Sequence, residues 1–337
     1  MNACARRLLP RGLVTAGQRS FLLAGYLLAP GAVAAGEPLR FTTDFDAGVT
    51  LEVGPKAATL RGGAEGSREW DALNRHSRIA TARVYFAGNP AAAQLVALAA
   101  DPAEPANRTL RFRVDGANEV TPVTRKCRVQ FDLYRLRGVR TLYHRQRMRL
   151  GEGFTTLRGY EAGFRWMTLA EYWNEGNWQP DDWPWPFRVS VNLIRDPGPN
   201  QPLRFSLHGQ DKDKRRRDGW STVWGQENDE VEVPTETWVT TEMYFRDGDD
   251  RTGRFVMAMT PDGGERRIVF NVTAWMHNPA SDQPLSEATL WGCNPMKLYT
   301  SERTADHARA RGQTLDIHWD DFRVEAGLAR PPMLESF

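Results

Sequence analysis

Three sets of side chains are of the kind that do chemistry. His208-Gly209-Gln210 places an imidazole and an amide at alternate positions, and Asn192 stands on the polar side of the run before it. Alternate residues of a strand share a face, so these groups would form a surface that is polar yet barely charged. Amides and imidazoles donate to and accept from hydroxyls and carboxylates, which suits the floor of a carbohydrate groove; the alternative is an ordinary solvent face. Lys297-Leu298-Tyr299 brings a cation and a phenol to one face of another run, where the lysine would favour tyrosinate. Glu171 and Glu242 would make the acid/base pair of a hydrolase if their strands were adjacent; otherwise they are paired or exposed acids.

The element that must position the first of these is Phe187 to Gln210. Phe187, Val189, Val191 and Leu193 alternate with Arg188, Ser190 and Asn192; Phe205 and Leu207 alternate with Arg204, Ser206 and His208. Such alternation marks half-buried strands, and Pro197-Gly198-Pro199-Asn200 between them is turn chemistry, so a β-hairpin is predicted. Thr141 to Leu150 alternates too, with Tyr143, Arg145, Arg147 and Arg149 on one face, an anion site or a solvated face. Twelve tryptophans are present. Trp173 stands on a predicted strand over Arg165–Asn174, and Trp178, Trp183 and Trp185 fall in a Pro/Asp-rich loop, where they could stack on sugar rings. Glu242 shares a face with Trp238 and Thr240 in the run Thr237–Phe245.

Further strands are predicted over Leu39–Asp46, Glu52–Arg61, Arg83–Phe86, Arg111–Val114, Arg128–Arg135, Ser221–Trp224, Arg254–Thr260, Arg266–Val272, Lys297–Thr300 and Thr314–Val324. Ala91–Ala100, rich in alanine and bounded by Asn89-Pro90 and Asp101-Pro102, reads as the clearest helix. Short strands with regular turn signals and little helix indicate an all-β sandwich. Arg6, Arg7, Arg11 and Arg19, the apolar run Ser20–Ala29 and Ala32-Val33-Ala34 form an export signal over residues 1–35. A single domain over 36–330 and a tail over 331–337 would then make a protein that is secreted or periplasmic. The apolar run is too short for a comfortable membrane span. Lys+Arg 44 against Asp+Glu 42 gives a formal charge of +2 and no global argument for nucleic acid or membrane binding. Outside the signal, Cys127 and Cys293 form one disulfide or stay as two buried thiols.

The opening Thr43-Asp44-Phe45-Asp46, the late hairpin from Trp238 to Gly264, Met296-Lys297-Leu298-Tyr299 and the closing Leu315–Val324 together resemble the concanavalin A-like jelly roll of laminarinase-type glucanases, alginate lyases and heparin lyase I. The glucanases' Glu-x-Asp-x-x-Glu strand is missing: Glu171-Tyr172-Trp173-Asn174-Glu175 lacks the central Asp. The lyases' Gln-x-His strand is matched in reversed order by His208-Gly209-Gln210, and their Tyr-x-Lys strand is similar to Lys297-Leu298-Tyr299. The resemblance implies an all-β fold of two antiparallel sheets and β-elimination on a uronate-containing polysaccharide by a monomer with no required cofactor. It implies His208 and Tyr299 as base and acid, with Lys297 beside them. Asn192, Gln210 and Arg145 or Arg147 would neutralise the uronate carboxylate. A structural calcium held by Asp44 or Asp46 with Asp320 and Asp321 is a further expectation. The other function classes are a glycoside hydrolase using Glu171 and Glu242, and a non-catalytic carbohydrate-binding protein.

Overall fold

Period-two alternation runs through nearly every element of the chain, and the fold is what results when each strand buries its apolar side against another sheet. The computed structural model describes residues 38–46, 48–63, 68–87, 94–122, 124–174, 186–212, 219–281 and 289–335. The predicted export signal and the loop tryptophans Trp178, Trp183 and Trp185 lie outside the described residues.

In chain order the strands are β1 Arg40–Thr43, β2 Val49–Val53, β3 Ala57–Gly62, β4 Thr81–Phe86, β5 Gln94–Ala100, β6 Arg108–Val114, β7 Glu119–Val120, β8 Arg125–Tyr134, β9 Thr141–Leu150, β10 Thr168–Trp173, β11 Phe187–Ile194, β12 Arg204–Asp211, β13 Ser221–Glu232, β14 Trp238–Arg246, β15 Arg254–Pro261, β16 Arg267–Thr273, β17 Gly292–Asn294, β18 Lys297–Ser301 and β19 Leu315–Ala326. Among the described residues three short helices lie between them: α1 Glu69–Asn74, α2 Glu152–Leu157 and α3 Glu302–Arg309. The smaller sheet runs β16-β15-β14-β9-β19-β6-β5, with β1 also on β19. The larger runs β13-β12-β11-β10-β17-β8-β4-β3-β2, with β18 bridging β10 and β8 and β7 on β8. Pairing is antiparallel throughout. The two-sheet antiparallel sandwich expected from the sequence is therefore the observed architecture.

One apolar cluster fills the space between the sheets. Val189, Val191, Phe205 and Leu207 enter it from the larger sheet; Met148, Met243, Phe245, Ile317 and Trp319 enter from the smaller. Trp70 of α1 plugs one end, with its ring 5.0–5.5 Å from Phe41, Phe45 and Phe131. Some polar groups sit inside. His144 Nδ1 lies 2.6 Å from Gln146 Oε1, and its Nε2 lies 2.5 Å from the Tyr172 hydroxyl. The amide oxygen demands a proton on Nδ1 and the phenol can donate to Nε2, so the network fits a neutral ring. Burial pushes the His144 pKa from 6.5 down to about 4. Between those values the unfolded chain binds a proton that the folded chain refuses. The stability contributed is complete above pH 6.5 and is lost as pH falls through 4, at no more than about 1.4 kcal/mol per pH unit. His318 is lowered alike, and burial raises Asp132 and Asp320 to about 6. The His144 share is therefore read as the difference in denaturant midpoint between wild type and His144→Gln, which should move against the wild type from pH 7 to 5.5 to 4.5.

Several expectations are corrected. Ala91–Ala100 is no helix where described: β5 pairs with β6 over its whole length, from Gln94↔Val114 to Ala100↔Arg108. Glu52–Arg61 is not one strand but the two arms of a hairpin, β2 and β3, paired from Val49↔Gly62 to Val53↔Ala58. The expected tail over 331–337 is packed where it is described. Met333 is fully buried on the outer face of the smaller sheet against Tyr143, Tyr244, Val256 and Ala258, and the Tyr244 hydroxyl donates to Leu328 O at 3.1 Å.

Cys127 and Cys293 are free and buried. Cys293 is opposite Leu133 on β8, six residues along that strand from Cys127, which stands opposite Thr300. That offset is about 20 Å of strand, far beyond the reach of a disulfide. Burial pushes the Cys127 thiol up to about 12 and raises Cys293 as well. Since the thiolate is the reactive form, neither should react with an aromatic disulfide reagent in the folded protein, and both should react in denaturant without reductant.

The carboxylates expected to hold calcium are engaged by protein groups. Asp44 Oδ1 accepts from Asp46 N at 3.3 Å, and Asp46 Oδ1 from Arg108 N at 3.4 Å. Asp320 Oδ2 accepts from Asn107 Nδ2 at 2.8 Å, and Asp321 lies 3.9 Å from Arg147. Among the described residues no three His, Cys, Asp or Glu side chains are grouped to hold a metal ion.

Candidate functional site

The outer face of the larger sheet carries a groove of about 480 Å³. Because Ala170, Tyr172, Val189, Val191 and Leu207 point into the core, alternation sends Glu171, Trp173, Arg188, Ser190, Asn192, His208 and Gln210 outward. Antiparallel register then lines them up across the strands. Glu171 faces Ser190, which faces His208; Trp173 faces Arg188, which faces Gln210. Thr168 faces Asn192 on one side and Tyr299 on the other. All five residues expected to be catalytic, His208, Tyr299, Lys297, Asn192 and Gln210, line this one groove.

An ion cluster forms its centre. Lys297 is buried and bonds Glu171 Oε2, and Arg188 Nη1 donates to Glu171 Oε1 at 3.2 Å. Burial alone would raise the Glu171 pKa, but the charges of Lys297 and Arg188 outweigh it and hold the carboxyl below its usual range. Burial pulls Lys297 down to about 8 although Glu171 pulls the other way. Arg188 Nε also donates to Gln210 Oε1 at 2.9 Å. Its guanidinium lies 4.4 Å from the Trp220 ring and 5.8 Å from that of Trp173.

His208 stands toward the β13 side. Gly225 lies opposite it, where a Cβ would come 3.2 Å from His208 Cδ2, so the glycine makes room for the ring. Burial, with Arg165 and Arg188 adding to it against Glu227, lowers the pKa below 6.5. The imidazole is therefore neutral at pH 7, and among the described residues nothing hydrogen-bonds to it. On the β18 side the Tyr299 hydroxyl oxygen accepts from Lys126 Nζ at 2.8 Å. Arg128, Lys297 and Lys126 lie 4.4, 5.0 and 5.4 Å from the centre of its ring, and Trp166 packs at 5.1 Å.

Lining cations number five, Lys126, Arg128, Arg165, Arg188 and Lys297, against two carboxylates, Glu119 and Glu171. An anionic ligand fits this balance. Lys126 has no carboxylate partner among the described residues. Sequence reasoning assigned Lys126, Arg128, Arg165, Trp166 and Trp220 no role in the site. Arg188 did carry a readable signal, since it alternates onto the face of Asn192.

Other expected site residues are elsewhere. Arg145 and Arg147 alternate with His144, Gln146 and Met148, which face the core, and so leave from the outer face of the smaller sheet. Arg147 is spent on Asp262 at 2.5 Å and on the Trp238 ring at 4.9 Å. Glu242 lies on that same outer face, accepting from the Tyr143 hydroxyl and paired with Arg266, each at 2.9 Å. Glu171 and Glu242 thus face away from each other with the core between them, so they cannot flank one glycosidic bond as an acid/base pair must. Trp173 is in the groove, but largely buried, with its indole N–H on Asn294 Oδ1 at 3.2 Å.

No family model and no curated protein matches the chain. Solved structures similar to it include the marine alginate lyase from Aplysia kurodai, at 13% identity and TM-score 0.43 over 69% of this chain and 87% of that one. The endo-beta-1,4-glucuronan lyase from Trichoderma reesei is similar at 16% identity and TM-score 0.40, over 71% and 89%. The exoplasmic/lumenal domain of VIP36, in a form bound to Ca2+ and Man3GlcNAc, is similar at 9% identity and TM-score 0.34, over 67% and 83%. Alginate and glucuronan lyases make up most of these neighbours.

Proposed function

We propose that the protein cleaves a uronate-containing polysaccharide by β-elimination in the groove of the larger sheet. One observation carries this reading: a neutral, unbonded imidazole and a lysine-bonded phenol line the same cation-rich groove. β-Elimination needs a base for the proton beside the uronate carboxylate, a proton donor for the leaving glycosidic oxygen, and positive groups to absorb charge building on the carboxylate.

His208 takes the C5 proton on its free ring nitrogen. The electron pair of that C–H bond becomes the C4–C5 double bond, and the C4–O bond breaks. Tyr299 supplies the proton to the leaving oxygen. Its hydroxyl oxygen already accepts from Lys126, so its own proton is left to give, and the ammonium then stabilises the phenolate. Arg188 and the Asn192 amide, whose Nδ2 makes only contacts of 3.3 and 3.4 Å to Ser190, meet the substrate carboxylate. Lys297 is engaged with Glu171 in the buried pair and is assigned the task of fixing Arg188 through that carboxylate. The protein acts as an exported monomer with no required cofactor; no helix among the described residues is long and apolar enough to cross a membrane.

The test is to incubate the purified protein with a panel of uronate polysaccharides and follow the ultraviolet absorbance of the unsaturated product. Reducing ends without that absorbance would show hydrolysis, and binding without either would show a binding module; both outcomes reject the elimination.

A further inference from the structure

Beneath the ion cluster lies a buried polar network that elimination does not use. Gln130 and Asp132 of β8 are each less than a twentieth exposed. Gln130 Nε2 donates to Asp132 Oδ1 at 2.7 Å and to the Tyr134 hydroxyl at 3.2 Å. Asn294 Nδ2 donates to the same Asp132 oxygen at 2.7 Å. Arg83 lies 3.7 Å from the other carboxylate oxygen. An ionised carboxylate only accepts, so the Gln130 amide must turn its nitrogen toward Asp132. Its oxygen is thereby turned away from the network. That oxygen is buried with no hydrogen-bond partner among the described residues, although Gln130 lines the groove.

We infer that Gln130 is a specificity-determining residue: its amide oxygen accepts a hydrogen bond from a free sugar hydroxyl at the groove floor, so the protein takes polyuronates unsubstituted at that position and rejects units acylated or sulfated there. This rests on the uronate reading of the same groove. The five lining cations attract carboxylated and sulfated polymers alike, so net charge leaves the choice between them open. A buried acceptor makes the choice. It is satisfied by a hydroxyl, left unpaired by an ester, and repelled by sulfate oxygens. Asp132 is what fixes the polarity of this contact, since its charge keeps the amide from flipping.

The experiment compares the uronate polymer from the panel that binds tightest, as an oligosaccharide, with the same oligosaccharide O-acetylated. Dissociation constants are measured by calorimetry for the wild-type protein, Gln130→Ala and Gln130→Met, with thermal midpoints to confirm folding. The wild type should bind the free-hydroxyl form about 10- to 100-fold more tightly. Both variants should lose most of that ratio, by weakening on the free form while holding their affinity for the acetylated one. Equal loss on both forms, or an unchanged ratio, overturns the role of Gln130. All three proteins carry His208→Ala for the calorimetry, so binding is read without turnover; absence of unsaturated product from the unaltered protein rejects the elimination and leaves this comparison standing. If no uronate binds at all, both readings fall.

Discussion

His208→Ala is expected to lower turnover on the uronate polymer by about 10²- to 10⁴-fold, the usual worth of a positioned proton acceptor, with the thermal midpoint held near that of the wild type. The ring stands in the groove outside the core cluster and makes no hydrogen bond among the described residues, so its removal costs little packing. Tyr299→Phe should cause a loss of similar size, because it keeps the ring against Trp166 and Arg128 and removes only the proton donor. The pH profile carries its own signature. Burial and neighbouring cations lower the His208 pKa from 6.5, and the base works in its neutral form. Hence kcat/KM should rise with pH along a limb lying below pH 6.5 and then level off. Near-normal turnover in His208→Ala, or a limb well above pH 6.5, removes this residue from the mechanism.

Lys297→Ala should unfold the protein far more easily, by about 3–5 kcal/mol, the cost of leaving one half of a buried ion pair behind. Glu171 is 1% exposed and would keep only Arg188 as a charged partner within bonding distance. The double variant Lys297→Met with Glu171→Leu should recover most of that stability, since apolar groups of similar volume replace such pairs at little or no cost. It should nonetheless bind uronate poorly, because Arg188 loses the carboxylate that orients it. Denaturant unfolding of the single and double variants, read beside oligosaccharide binding, separates the two effects. A double variant as unstable as Lys297→Ala would mean that the site depends on this lysine for more than its pairing.

The hairpin from Phe187 to Gln210 was legible because alternation is a local property: the residues that share a face are fixed by the strand itself. That is why Asn192, His208 and Gln210 could be placed together, and why Arg188 could have been. Which outer face would hold the groove is not local. Both sheets send polar residues outward, and nothing in Thr141–Leu150 tells that its arginines leave from the opposite side of the sandwich. Two of the cations that line the groove, Lys126 and Arg128, come beside Tyr299 only because β18 pairs with β8, a contact across more than 160 residues. Ala91–Ala100 failed for a different reason. Alanine's intrinsic helix preference is a fraction of a kcal/mol per residue, and a full ladder of pairing with β6 overrides it.

The place of β19 has a consequence for how the protein is made. This strand lies at the middle of the smaller sheet, between β9 and β6, and also receives β1, with Arg40 opposite Glu325 and Thr43 opposite Phe322. Among the described residues it is the last strand in chain order, so the smaller sheet has no centre until synthesis has passed residue 326, and β5–β6 and the ladder of β9 with β14, β15 and β16 wait as separate pieces with open edges. Contacts this distant in sequence form slowly, and unpaired edges invite aggregation while they wait. Pulse-labelled chains stopped before β19 should be digested by protease, and chains extended past it should resist.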